Sequence, residues 1–226
     1  MKTVIEFQNV SLKAEPPYEV GLRNLSFALA PGELLRVDVV AGHTVIPLAD
    51  LASGLLEPEE GEVLLHGRTW RDYAPDEAAA ERGRIGRIFE GAGWISNLDV
   101  DENITLSARY HAQMSEAEVL QAARELAVRL GLVELPTGRP ALHASTELRR
   151  AEWVRALMGK PSLLILDRPV RDLPSEWIPP LLAELDRRRV DGAAVIWIQK
   201  WPAPLAAEAL KPTLHFEVES GNITRI

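Results

Sequence analysis

Cysteine is absent from all 226 residues. That excludes a disulfide framework and any thiolate metal site, and it suits a reducing compartment. Long apolar runs are missing as well. None reaches the roughly 18–20 residues needed to cross a bilayer, and the opening MKTVIEFQN lacks the layout of a signal peptide. Positive charge is in deficit: 25 Lys+Arg against 33 Asp+Glu give a formal net charge of −8. This argues against a nucleic-acid partner, and the run Arg187-Arg188-Arg189 reads as a solvated helix end. No lysine occurs between Lys13 and Lys160, so any phosphate chemistry in that span must do without an ammonium group.

What is present has the rhythm of an α/β protein. Residues 4–12 and 22–37 read as strands around the turn AEPP, and 62–65 as another between Gly61 and Gly67. The Ala- and Glu-rich segment 75–84 predicts a helix, and 85–89 a short buried strand. Composition turns helical from 100 to 135. There Ser115 and Glu118 fit a capping box, and Gly131 marks an end. A helix over 147–158 stops at Gly159-Lys160-Pro161, before the four apolar residues 163–166. A helix over 175–189, a strand over 193–198 and a hairpin turning at Ser220-Gly221-Asn222 complete the pattern.

Several stretches resemble, in order, the ATP-binding cassette (ABC) subunits of membrane transporters. IEFQNVSL and LRNLSFALAPGELLRV match the two N-terminal strand segments, and SGLLEPEEGEVLLHG the segment after the phosphate-loop helix. IGRIFEGAGWISNLDVDENI matches the glutamine-loop region. ELRRAEWVRALMGKPSLLILDRP matches the end of the signature, its helix and the metal-aspartate strand. The resemblance implies an α/β, P-loop NTPase-like cassette with a RecA-like core, an N-terminal antiparallel β subdomain and an inserted helical subdomain. Residues 1–226 would form one cassette. In it, 1–90 and 159–226 supply the β subdomain and core, and 91–158 the helical subdomain and signature region. A narrower likeness, to the ATPase subunit of bacterial lipid and solvent-resistance (Mla-type) transporters, rests on NLDVDENI and ELRR.

The family's phosphate loop should end in Gly-Lys-Ser/Thr, its lysine reaching the terminal phosphates. Here Gly42 is the one flexible position left. Thr44 falls on the preceding glycine, Val45 on the lysine and Ile46 on the metal-binding hydroxyl. A unit-charge pair at 4 Å is worth roughly 4 kcal/mol at an effective dielectric near 20, and Val45 supplies none of it. Tyr18 stands where an adenine-stacking ring could sit, with Pro16-Pro17 making a turn role equally open.

Asp167 stands at the metal-aspartate position, but Arg168 replaces the water-polarising glutamate and cannot act as a base. Its candidate ion-pair partners are Asp167 and Asp172. Glu90 replaces the loop glutamine and Gln199 the switch histidine. His143, Ala144, Ser145, Thr146 and Glu147 fall on Leu-Ser-Gly-Gly-Gln, with Ser145 read as a helix cap.

The sequence therefore leads to the expectation of a catalytically inactive cassette, more a non-enzyme than an enzyme, with a structural or regulatory role in a transporter. No catalytic residue, metal or cofactor is expected. The alternative is an ATP-binding or ATPase component with non-standard contacts, using ATP and Mg²⁺ with Asp167 as the metal ligand. The resemblance implies an integral-membrane permease, a second cassette (as homodimer or heterodimer), or both, at the cytoplasmic face of the inner membrane. Trp94, Ile95, Leu98 and Trp201 are the partner-surface candidates.

Overall fold

The computed structural model describes residues 3–40, 45–111, 114–200, 209–219 and 222–226. The chain opens with β1 (Ile5–Leu12), β2 (Leu22–Leu29) and β3 (Leu34–Val39), then a short helix α1 (Leu48–Ala52). Next come β4 (Glu60–Leu65), β5 (Arg68–Thr69), α2 (Pro75–Arg82) and β6 (Ile85–Ile88). Three helices follow: α3 (Val100–His111), α4 (Glu116–Arg129) and α5 (Ser145–Leu157). The remainder is β7 (Leu163–Asp167), α6 (Pro179–Val190), β8 (Ala194–Lys200), β9 (Leu214–Glu219) and β10 (Asn222–Arg225).

Two sheets organise the described residues. One is antiparallel at its pairings, in the order β2-β1-β4-β5; the other runs β10-β9-β3-β8-β7-β6. In the second, β9, β3, β8, β7 and β6 pair in parallel, and β10 closes the edge antiparallel to β9. Every residue of β3 and β7 is buried, as expected for strands covered on both faces.

Alternation along these strands builds two cores. Leu35, Val37, Ile165 and Ile196 point to a cluster shared with α1 and the antiparallel sheet, where Phe7 stacks on Phe27 at 4.6 Å between centroids. Leu34, Leu164, Leu166 and Trp197 point the other way, to a cluster shared with α3, α4, α5 and α6. Strand β6 can lie against α5 because position 86 is glycine: a Cβ there would meet the Ala156 carbonyl oxygen at 1.9 Å.

The capping box holds. Ser115 Oγ accepts from the Glu118 amide at 3.3 Å, the Glu118 carboxylate accepts from the Ser115 amide at 2.8 Å, and α4 stops just before Gly131. Three expected elements differ. The run 22–37 is two strands, broken at Pro31-Gly32 where Gly32 takes φ +81°. The helix expected over 175–189 is a 3-10 turn, Ser175–Trp177, followed by α6, because Pro179 and Pro180 have no N–H to continue a helix. The helix at the signature begins at Ser145, with Ala144 as its cap, so Ser145 is not the capping residue. The turn at Ser220-Gly221 lies outside the described residues.

Candidate functional site

Helix α1, β6 and β7 meet where the resemblance places nucleotide. Gly42, His43 and Thr44 lie outside the described residues. On either side of them, Val39 and Ile46 are buried in the core shared with α1, and the half-buried Val45 accepts a hydrogen bond from the Glu19 amide at 3.0 Å. Of the two apolar replacements, Ile46 thus packs as core, and Val45 is half-buried beside it. Helix α1 has only five residues, and the charge at this place comes from its flank and from the ends of β6 and β7.

Arg87 sits on the α1 face of β6. It donates to Asp50 Oδ1 at 2.5 Å and to Ser53 Oγ at 2.9 Å, tying strand to helix. The Tyr18 hydroxyl donates to the other Asp50 oxygen at 2.7 Å. Burial, reinforced by that bond, pushes the phenol up to about 12. Tyr18 is also the residue whose amide closes the turn onto Glu15, so it is a turn residue whose hydroxyl is engaged.

Asp167 ends β7, and burial pushes its carboxyl up to about 7 although Arg87 and Arg171 stand near. Arg168 takes a left-handed φ of 48° and donates its amide to the Ile198 carbonyl at 2.8 Å. Its side chain turns back over the strand end. Nη2 contacts Glu90 Oε1, and Nε lies 3.5 Å from Asp167 Oδ1. Arg171 reaches the same Glu90 oxygen at 3.7 Å and Asp172 at 3.4 Å. Asp167 is therefore a partner of Arg168 as expected. Asp172 pairs instead with Arg171, and Glu90 is the partner the sequence reading missed. These contacts lack hydrogen-bond geometry: Asp167 Oδ1, Arg168 Nε and Nη2, Arg171 Nε and Arg87 Nε are buried polar atoms without a hydrogen-bond acceptor or donor. Burial and the adjacent Arg171 guanidinium hold Arg168 below its usual value.

Gln199 does not face this cluster. It is buried, donates to Asp38 Oδ1 at 2.6 Å and accepts from Trp197 Nε1 at 2.9 Å. The cause is strand parity: Trp197 and Gln199 share the face of the sheet opposite Asp167. Asp38 also receives Arg36 through two bonds of 2.9 Å and His215 Nε2 at 2.8 Å. The signal for this network was present in β3, since Arg36 and Asp38 sit two apart in an otherwise apolar strand and must share a face.

The signature residues form a cluster of their own. His143 lies 3.0 Å from the Glu147 carboxylate and 2.7 Å from the Thr137 carbonyl. With an acceptor at each ring nitrogen the imidazolium is favoured. Burial opposes it, but the bonds to Glu147 and Thr137 raise the pKa. Ala144 and Ser145 are exposed and Thr146 is half-buried. Of the partner-surface candidates, Ile95 is 42% exposed and Leu98 is half-buried. Trp94 packs against the helical core under the Arg155 guanidinium, 4.6 Å from its ring centroid. Trp201 lies outside the described residues. No helix among the described residues is long and apolar enough to cross a membrane.

Residues 22–171 match the family model described as ABC transporter. The lipoprotein-releasing system ATP-binding protein LolD of Maricaulis maris (strain MCS10) is 34% identical over 178 residues, 77% of each chain. The molybdate/tungstate import ATP-binding protein WtpC of Thermococcus kodakarensis (strain ATCC BAA-918 / JCM 12380 / KOD1) is 28% identical over 76% of this chain, which spans 50% of that relative. The fold matches the ATP-binding cassette MJ0796, solved as a dimer in a post-hydrolysis state with ADP and Pi. The TM-score is 0.83 over 98% of both chains at 20% identity. The expectation of a non-enzyme is overturned by these relatives, which are named as ATP-binding proteins.

Proposed function

This chain belongs to the ABC transporter family, and from that premise we propose that it is the ATP-binding component of a membrane transporter and holds phosphates with arginines. The observation that carries the reading is the set of buried guanidinium nitrogens on Arg87, Arg168 and Arg171 that make no hydrogen bond beside Asp167, those of Arg168 and Arg171 being held only by ion pairs to Glu90, Asp167 and Asp172. Guanidinium forks suit phosphate oxygens and stay charged at any working pH. Arg168 and Arg171 offer the forks that replace the charge Val45 cannot supply, and Arg87, whose two Nη atoms are bound to Ser53 and Asp50, adds its charge.

A divalent cation does not fit this donor set. No group of three or more His, Asp or Glu that could hold a metal occurs among the described residues. Asp167, the ligand the resemblance implies, has Arg168 at 3.5 Å. Phosphate charge is here neutralised by arginine, and Mg²⁺ has no part in the contacts we assign. Arg168 cannot accept a proton. Asp167, raised to about 7 by burial, lies in the range a general base needs. The transporter partners are an integral-membrane permease and a second cassette at the cytoplasmic face, with the exposed Ile95 and the neighbouring Trp94 and Leu98 toward them. The Mla-type likeness and the lipoprotein-releasing relative favour a lipid-bearing cargo.

Calorimetric titration with ATP is expected to give saturable heat with a dissociation constant below about 1 mM, roughly −4 kcal/mol. The constant should be the same in Mg²⁺ and in EDTA. Arg168→Ala and Arg171→Ala are each expected to weaken it by about tenfold, the loss of one charge-assisted phosphate contact. A flat titration would overturn the reading, and strict Mg²⁺ dependence would overturn the arginine assignment.

A further inference from the structure

The two sheets approach each other at their edges, where β2 ends one and β10 ends the other. Among the described residues β2 pairs only with β1 and β10 only with β9, and no main-chain hydrogen bond joins β2 to β10. Between them runs a groove of about 550 Å³, lined by residues of β2, β9 and β10. It lies at the edge of the parallel sheet opposite β6 and shares no residue with the phosphate site.

The floor of the groove is apolar. Leu25, Phe27 and Phe216 are buried, with the two phenyl rings 6.0 Å apart, and Ile223 is half-buried beside them. The walls are sheet edges, whose free N–H and C=O groups recruit a further strand unless something blunts them. Neither β2 nor β10 contains proline or lysine. Beyond the kink at Asn24, where φ is +49°, β2 alternates buried and exposed residues from Leu25 to Leu29.

Charge makes the groove selective. Its lining holds Arg23 and Arg225 and no carboxylate, although acidic residues outnumber basic ones by 33 to 25 in the chain. Glu217 of β9 alternates onto the face opposite Phe216. Both arginines are exposed, and among the described residues neither makes an ion pair or a side-chain hydrogen bond. An acyl chain would cover the floor but leave the edges unpaired. An extended peptide answers floor, walls and charge together: its main chain pairs with the edges, alternate apolar side chains meet Phe27 and Phe216, and its carboxylates meet the arginines. The four residues of β10 cover roughly 13 Å at about 3.3 Å each, so the engaged segment is short.

We propose that the β2–β10 groove is a strand-addition site for a short, extended, acidic segment of a partner protein. Arg23 and Arg225 admit such a strand and repel a basic one.

The test is fluorescence anisotropy of the full chain with a short fluorescein-labelled peptide of alternating valine and glutamate. Saturable binding is expected, with a dissociation constant of about 10–100 μM. Arg23→Glu and Arg225→Glu, both at exposed positions that spare the fold, should each weaken it about fivefold, an ion pair being lost and a repulsion gained. The double variant should instead bind a valine–lysine peptide, which the wild type refuses. N-methylation of alternate peptide amides keeps every side chain but removes the donors along one edge, and should abolish binding. Amide exchange in β2 and β10 should slow when the unmodified peptide is bound. No saturable binding, or equal binding of the N-methylated peptide or of the valine–lysine peptide to the wild type, overturns the proposal. Sodium oleate binding that is lost in the double variant, with no binding of the peptide, would overturn it too and give the groove to an anionic amphiphile.

Discussion

Asp38→Ala is expected to lower the stability of the folded chain by about 3–5 kcal/mol, the range for breaking a buried ion pair from one side. Asp38 is 1% exposed, yet its two oxygens accept from Arg36 twice, from Gln199 and from His215. Burial alone would raise its pKa. The bonds from Arg36, His215 and Gln199 outweigh it and hold the carboxyl below its usual value. The three donors come from β3, β8 and β9, so one carboxylate ties the centre of the parallel sheet to its C-terminal strands. Alanine leaves that charge and those donors facing a void. Urea denaturation should show the loss as a shifted midpoint, and Asp38→Asn, which keeps shape and one acceptor oxygen, should lose less. A loss under about 1 kcal/mol for alanine would mean the network is solvated and has little structural weight.

The second large effect is a fall in stability as pH rises, traced to two buried carboxyls. Burial pushes Asp167 from 3.8 to about 7 and Glu152 from 4.5 to about 7, the latter despite the 2.6 Å bond from Arg149. A carboxyl whose folded value is raised binds more protons in the native state than in the unfolded one, so stability falls with rising pH. Its penalty is absent below about pH 4, the unfolded value, grows through the interval, and is complete above about pH 7. Shifts of this size correspond to roughly 3–4 kcal/mol per group at full ionisation. Asp167→Asn and Glu152→Gln together should leave stability unchanged near pH 4, raise it near pH 8 and flatten the profile between. A wild-type profile that rises from pH 5 to pH 8 in parallel with the double variant's would show that both groups titrate in the ordinary carboxylate range.

Strands were legible because their signals are local. Buried parallel strands read as unbroken apolar runs, and LLILD and AVIWI could be placed without a partner in view. The capping box at Ser115 was equally local. The helix over 175–189 was not, since its apolar spacing runs on through Pro179 and Pro180, which start a new helix there. At the site, the loss of lysine at Val45 and the arrival of Arg168 were plain from register. Their consequence was not, because it depends on neighbours far along the chain. Glu90 and Arg168 lie 78 positions apart and meet only because β6 and β7 pair. Gln199 and Asp38 are separated by 161 positions. The pairing of Asp167 with Ile198 across β7 and β8 leaves the adjacent Gln199 on the opposite face, away from the phosphate site that its place in the motif order suggested. Arg87 carried no motif at all, and its role appears only once Asp50 and Ser53 face it from α1.

The most direct measurement is a crystal structure of the chain with bound ATP, prepared without added metal. The account predicts phosphate oxygens within about 2.7–3.2 Å of guanidinium nitrogens on Arg168 and Arg171. Nucleotide seated on a magnesium ion at Asp167, with neither arginine touching phosphate, would contradict it.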